Sequence, residues 1–358
     1  MKKRHFKNIG ARKMERNLRK NFLDTLHGNP VDRVPALSVT QTGTVELMDM
    51  TGAAWPKAHS DPEKMAALAL AGHEIAGLEA VRYPYCLTVI AEIMGCGVRM
   101  GTKDIQPSVL SYPFSKGPEN LRVPENLLEK GRIPTILKAT EILAARNGNG
   151  KRSEIPLIAG MEGPLTVFTH LAEVKNCLIW ALKKPDYFDM FMETCTELCI
   201  EYANSLFERS ADALCMPDGG IAGSRMMPPS VLENSVKPFY KHLCRKVNGP
   251  VILHICGDVG DSLKTLSECG FEAVSIEEKV SLKAAKEAIS GRARLIGNVS
   301  PSRTLLFGTP EIVKEEAKDC LSAGVDILAP GCGIAPRTPL ANIRALVEAR
   351  DEWYKEKD

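Results

Sequence analysis

The chain has 358 residues, 44% of them apolar and 25% charged, with a formal net charge of +2. Such a composition is that of an ordinary globular protein, and so small a net charge gives no support to a nucleic acid or a membrane surface as partner. No apolar run approaches the roughly 18 residues of a membrane-spanning helix, no signal-peptide core follows the basic N-terminus, and a cytoplasmic location is expected.

The first 20 residues carry nine Lys or Arg against a single acid, Glu15, which reads as a solvated basic arm. Beyond it, apolar runs alternate with amphipathic stretches. Strands are expected at 34–39, 79–83, 156–160, 211–216, 251–255, 273–276, 294–297 and 325–328. Helices are expected at 62–75, 133–146, 186–208, 229–247, 281–289, 310–323 and 340–354. Asp61-Pro62, Ser281 and Thr309-Pro310 supply a capping side chain or a first-turn proline at three of the helix starts. Strand and helix in alternation imply a parallel sheet, and eight strands imply closure into a single (β/α)8 TIM barrel over 21–358. The Gly-, Pro- and Ser-rich stretch 86–130 fits the alternation least well and reads as an insertion after the second strand.

The most telling segment is His254-Ile255-Cys256-Gly257, which ends the apolar run of the fifth predicted strand. Alternate residues of a strand point the same way, so His254 and Cys256 are expected to project together. A third donor, Cys332, stands between two glycines after the eighth strand. In such barrels the carboxyl ends of the strands carry the active site, and all three residues fall there. One imidazole and two thiolates suit a tetrahedral Zn2+ with one position open to substrate.

Cys96, also between two glycines, is the rival third ligand but lies in the irregular insertion. Glu277, after the sixth strand, is expected in or beside the metal's first shell as a displaceable carboxylate. The remaining cysteines of the eleven read as reduced packing residues. Two thiolates already neutralise a zinc dication. The site is therefore a poor source of hydroxide and a good host for a third sulfur, which coordination deprotonates at neutral pH. Transfer of an alkyl group to a substrate thiol follows as the reaction class.

These residues, with Thr40-Gln41-Thr42-Gly43-Thr44, Gly95-Cys96-Gly97, Gly160-Met161-Glu162-Gly163-Pro164 and Ile296-Gly297-Asn298, resemble the methylcobamide:coenzyme M methyltransferases of the uroporphyrinogen decarboxylase superfamily. The likeness runs from about Arg19 onward. It implies a zinc barrel enzyme of the methanol or methylamine pathways of methanogenesis, which moves a methyl group from a methylated corrinoid protein to coenzyme M. It also implies His254, Cys256 and Cys332 as zinc ligands, with Glu277 beside the metal. No Asp-x-His-x-x-Gly corrinoid signature occurs in the chain, so methylcobamide is expected to arrive on a separate small protein.

For the sulfonate of coenzyme M, the loops after the later strands offer Asn298, Ser300, Ser302 and Arg303, with Arg225 after the fourth strand, while Asp218 at the end of that strand is expected to hydrogen-bond inside the site or to hold a structural turn. Two enzymatic alternatives share the superfamily. One is a methyltransferase that demethylates an aryl methyl ether or methyl halide onto a corrinoid. The other is a true uroporphyrinogen decarboxylase, against which the arginine-free loop 40–43 argues.

Overall fold

Short runs of Val, Ile, Leu and Ala, each followed by a helix, form one parallel sheet in the computed structural model, which describes residues 17–145, 154–218, 220 and 226–356. Its strands are β1 (Val81–Tyr83), β4 (Leu157–Gly160), β5 (Ala213–Pro217), β6 (Val251–Ile255), β7 (Ala273–Ile276), β8 (Arg294–Val299) and β9 (Ile327–Pro330), side by side in that order. A separate antiparallel pair, β2 (Val98–Arg99) and β3 (Ser108–Val109), belongs to the insertion.

The predicted first strand is reduced to a bridge between Ala36 and Leu328. That stretch still closes the ring. Leu37 N–H donates to Leu328 O (3.0 Å) and Leu328 N–H to Pro35 O (2.9 Å), while on the other flank Glu79 N–H donates to Ala36 O (3.0 Å). Pro35 has no N–H to extend the ladder, which limits the pairing to one rung. The result is the expected TIM barrel, with a very short eighth position.

Side chains alternate across the barrel wall. Ile158, Ala213, Ile252, Ala273, Ile296 and Ile327 point inward and pack with Leu37, Phe22 and Leu26. The last two come from the helix Leu18–His27, which plugs the amino end of the barrel. Asn17 caps that helix by accepting from Lys20 N–H, and Arg19 ties it to Asp212, just before β5, at 2.6 Å. Of the predicted basic arm, residues 1–16 lie outside the described residues.

The outer helices fall close to expectation, including Pro62–Glu74, Pro310–Ser322 and Leu340–Lys355. The expected helix at 229–247 carries a π-helical segment, Leu232–Val236, before Lys237–Lys246. Two further helices, Pro164–Ala172 and Val174–Lys183, follow β4. The insertion holds the helix Val89–Ile93 and the β2–β3 hairpin. Beside the hairpin turn, Lys103 pairs with Asp49 and Asp104 pairs with Arg337, the latter at 2.5 Å. The hairpin is thereby fastened to the helix Val45–Thr51 and to the loop after β9.

Candidate metal centre and active site

The inward alternation that fills the barrel with Ile252 continues on β6 to His254, which is 2% exposed. Its register partner on β7 is Ser275, fully buried, and the two side chains meet with Nδ1 3.0 Å from the hydroxyl. A proton on Nδ1 donated to Ser275 leaves the Nε2 lone pair facing the barrel mouth. Nε2 lies 3.3 Å from Cys256 Sγ, and Cys256 Sγ lies 3.4 Å from Cys332 Sγ. Gly257 follows with φ +88°, a left-handed turn that suits glycine. It bends the chain so that its N–H donates to Glu277 Oε2 at 2.8 Å.

All three donor atoms lie within 4.8 Å of one another. Zinc bond lengths of about 2.3 Å to sulfur and 2.0–2.1 Å to nitrogen in a tetrahedron separate donors by roughly 3.5–3.8 Å. The His254–Cys256 and Cys256–Cys332 spacings need to open by only a few tenths of an ångström, and one imidazole with two thiols is a donor set that suits zinc. The Cys256 and Cys332 sulfurs are close enough to hold one proton between them, which pushes one thiol up and holds the other down. The two sulfurs share one proton. A bound dication would displace it.

Cys96, the rival ligand, lies elsewhere. Its thiol donates to His170 O at 3.2 Å, and burial pushes it up to about 12. Glu277 stands beside the cluster, its charge acting on Cys256, and Oε2 also meets Lys279 Nζ at 3.2 Å.

The residues expected at the sulfonate are disposed differently. Asn298 donates both amide hydrogens, to Glu277 O and Val280 O, each at 3.0 Å, and so clamps the loop after β7. Ser300 donates to Glu278 (3.0 Å) and accepts from Arg303 N–H (3.2 Å). Asp218 accepts from Leu165 N–H, Thr166 N–H and Tyr240 O–H, which makes it a buried cap for the helix Pro164–Ala172. Arg303 is exposed, with Nη2 3.3 Å from Glu316. Arg225 lies outside the described residues. Sequence reasoning passed over Ser275, although its place opposite His254 follows from strand register alone.

A (β/α)8 barrel that gathers one imidazole and two thiols at its mouth presents the donor set that a soft metal would take. Comparisons with known proteins agree. The uroporphyrinogen decarboxylase (URO-D) family model matches residues 17–353. Methylcobamide:CoM methyltransferase MtaA of Methanosarcina barkeri is 48% identical, over 95% of this chain and 99% of its own. Methylcobamide:CoM methyltransferase MtbA of Methanosarcina mazei is 37% identical, over 92% of this chain and 96% of its own. A solved methyltransferase from Methanosarcina mazei superposes with a TM-score of 0.91 at 49% identity, covering 94% of this chain and 99% of that one. The chain belongs to the uroporphyrinogen decarboxylase family and, within it, to the methylcobamide:CoM methyltransferases. It is a methyltransferase.

Proposed function

We propose that the protein transfers a methyl group from a methylated corrinoid, carried on a separate small protein, to the thiol of coenzyme M. The observation that carries this reading is the convergence of His254 Nε2, Cys256 Sγ and Cys332 Sγ within 4.8 Å. It is supported by the substrates named for relatives that align over nearly the whole chain. Zinc held by these three residues would supply the charge that keeps a substrate thiol deprotonated and nucleophilic at neutral pH.

The chain's own residues do the rest. Ser275 orients the imidazole, and Gly257 turns the chain after Cys256. Glu277, its loop held by Asn298, stands where it would complete the donor set around the metal and could yield that place to a substrate sulfur. Of the predicted sulfonate set, Arg303 keeps guanidinium donors beyond its single contact with Glu316. The substrate sulfur then forms a bond to the methyl carbon as the carbon–cobalt bond breaks, its electron pair staying on cobalt. Methyl-coenzyme M and cob(I)amide are the products.

The test is zinc content together with loss of the methyl–cobalt absorbance of methylcobalamin on adding coenzyme M. One zinc per chain and coenzyme M-dependent demethylation are expected. Zinc without reaction toward coenzyme M would move the function to a donor-side methyltransferase, and absence of zinc would overturn the site.

A further inference from the structure

Of the three donors, Cys332 lies furthest from a strand. His254 is within β6 and Cys256 follows its last residue directly, whereas Cys332 is two residues beyond β9 with a glycine on either side. Its sulfur nevertheless stands 3.4 Å from that of Cys256. On one flank the chain is anchored to β8, where Gly331 N–H donates to Val299 O at 2.8 Å. The other flank faces a short seam of the barrel, because the first strand pairs with β9 only through the bridge between Ala36 and Leu328.

Gln41 takes over where that ladder ends. Its backbone O accepts from Ile334 N–H at 3.0 Å, and its side-chain Nε2 donates to Ile334 O. One residue thus satisfies both backbone groups of the position two past Cys332. Its Oε1 accepts from Gly43 N–H at 2.7 Å. The amide has only one workable orientation, since Ile334 O can only accept and Gly43 N–H can only donate. Glycines make room on two sides of the side chain. A Cβ built on Gly333 would come within 3.2 Å of Gln41 Cγ, and one built on Gly43 would lie 3.4 Å from Gln41 Oε1 and 2.7 Å from the Trp55 ring. Gln41 is accordingly buried, at 7% exposed. Other side chains do not reproduce the contacts: Asn is one methylene shorter, ionised Glu has no donor, and Met keeps the length without the amide.

We propose that Gln41 is the positioning residue for Cys332, holding the segment 331–334 so that its sulfur meets the other two donors before a metal arrives. This inference rests on the reading of the cluster as a metal centre. A backbone with glycine on both sides of Cys332 is permissive. If it were released at Ile334, the metal itself would have to order it, and affinity would fall by that cost. Gln41 acts through Cys332 alone, so its effect must vanish when the Cys332 sulfur is absent.

The test is cobalt(II) titration of the reduced full-length protein against a competing chelator, followed by the sulfur-to-cobalt absorbance. Gln41→Met is expected to bind cobalt about tenfold more weakly or worse. Its absorbance per bound cobalt should fall toward that of Cys332→Ala, because one of the two sulfurs no longer ligates. The double variant Gln41→Met with Cys332→Ala should match Cys332→Ala within about twofold, the sign of two residues acting as one. Gln41→Asn, which reaches at most one of the two side-chain partners, carries the same expectation should Gln41→Met not fold.

Parental affinity and absorbance in the folded variant overturn the proposal. So does a loss repeated in full on the Cys332→Ala background, which would make Gln41 a support of the barrel as a whole. Neither coenzyme M nor a corrinoid enters the assay, so a wrong substrate reading leaves its result unchanged. A parent protein that binds no cobalt would overturn the metal reading and this inference together.

Discussion

Ser275→Ala isolates the contribution of one hydrogen bond to the proposed metal centre. The hydroxyl is fully buried and stands 3.0 Å from His254 Nδ1. Removing it deletes a single oxygen, leaving a void smaller than a methyl group, so packing changes little. The imidazole loses the partner that fixes its Nδ1 tautomer and its ring angle. A buried N–H left without an acceptor costs about 1–3 kcal/mol, and loss of the group that orients a metal-bound histidine lowers metal affinity by about 10–100-fold, or roughly 1.4–2.7 kcal/mol. The two estimates agree because they describe the same event from the protein side and the metal side. Zinc affinity measured by competition with a chromogenic chelator should fall by that factor, while the apoprotein's melting temperature moves little. Zinc affinity within twofold of the parent would refute the orienting role of Ser275.

Alanine at His254, Cys256 or Cys332 should each reduce bound zinc well below one per chain and abolish methyl transfer, whereas Cys96→Ala should retain the metal. Zinc lost on changing Cys96 but kept on changing Cys332, as read by elemental analysis, would reverse the ligand assignment. Glu277→Gln should alter the resting metal coordination seen by X-ray absorption while leaving part of the thiol-dependent turnover, and an unaltered resting spectrum would remove Glu277 from the fourth position. Glu162 is fully buried, and burial pushes its carboxyl up to about 7 from 4.5. Because the folded value lies above the unfolded one, the protein is most stable below pH 4.5 with respect to this group and loses that stability as pH rises through 7, by on the order of 3 kcal/mol. Glu162→Gln keeps an oxygen for Ile90 N–H, which Glu162 now accepts at 3.2 Å. Its denaturation midpoint should exceed the parent's at pH 8 and converge with it at pH 5, and parallel curves at both pH values would contradict this account.

The parts of the fold legible in the sequence are those where one periodicity dominates. β6 and β7 match their predicted spans, because a buried parallel strand is a short apolar run bounded by loop residues. The helix Pro164–Ala172 was not legible for the opposite reason: seven of its nine residues are buried, so no polar face marks the helical period. The first strand shrank because only the ring closure, a long-range fact, determines how many rungs a stretch containing Pro35 can form. At the site, the gathering of His254, Cys256 and Cys332 was readable because strand alternation and barrel topology bring them to one end without knowledge of contacts. Asp218 was not, since nothing local shows that its carboxylate is held by Leu165, Thr166 and Tyr240 from two other helices.

Strand alternation also explains why chemistry concentrates at one layer of the barrel. Inward positions near the middle are filled by Ile158, Ala213, Ile252, Ala273, Ile296 and Ile327. Two residues further toward the carboxyl ends, the same strands and the same direction give Gly160, Cys215, His254, Ser275, Asn298 and Ala329. Mouth and core are therefore one register apart, and the aliphatic layer below is what holds the polar one in place. A one-residue deletion within β6 would turn His254 outward and carry Leu253 or Ile255 into the mouth. The helices could still pack, yet the imidazole would lose both Ser275 and the two sulfurs. The gathering of these three donors is consequently a property of strand register as much as of the residues themselves.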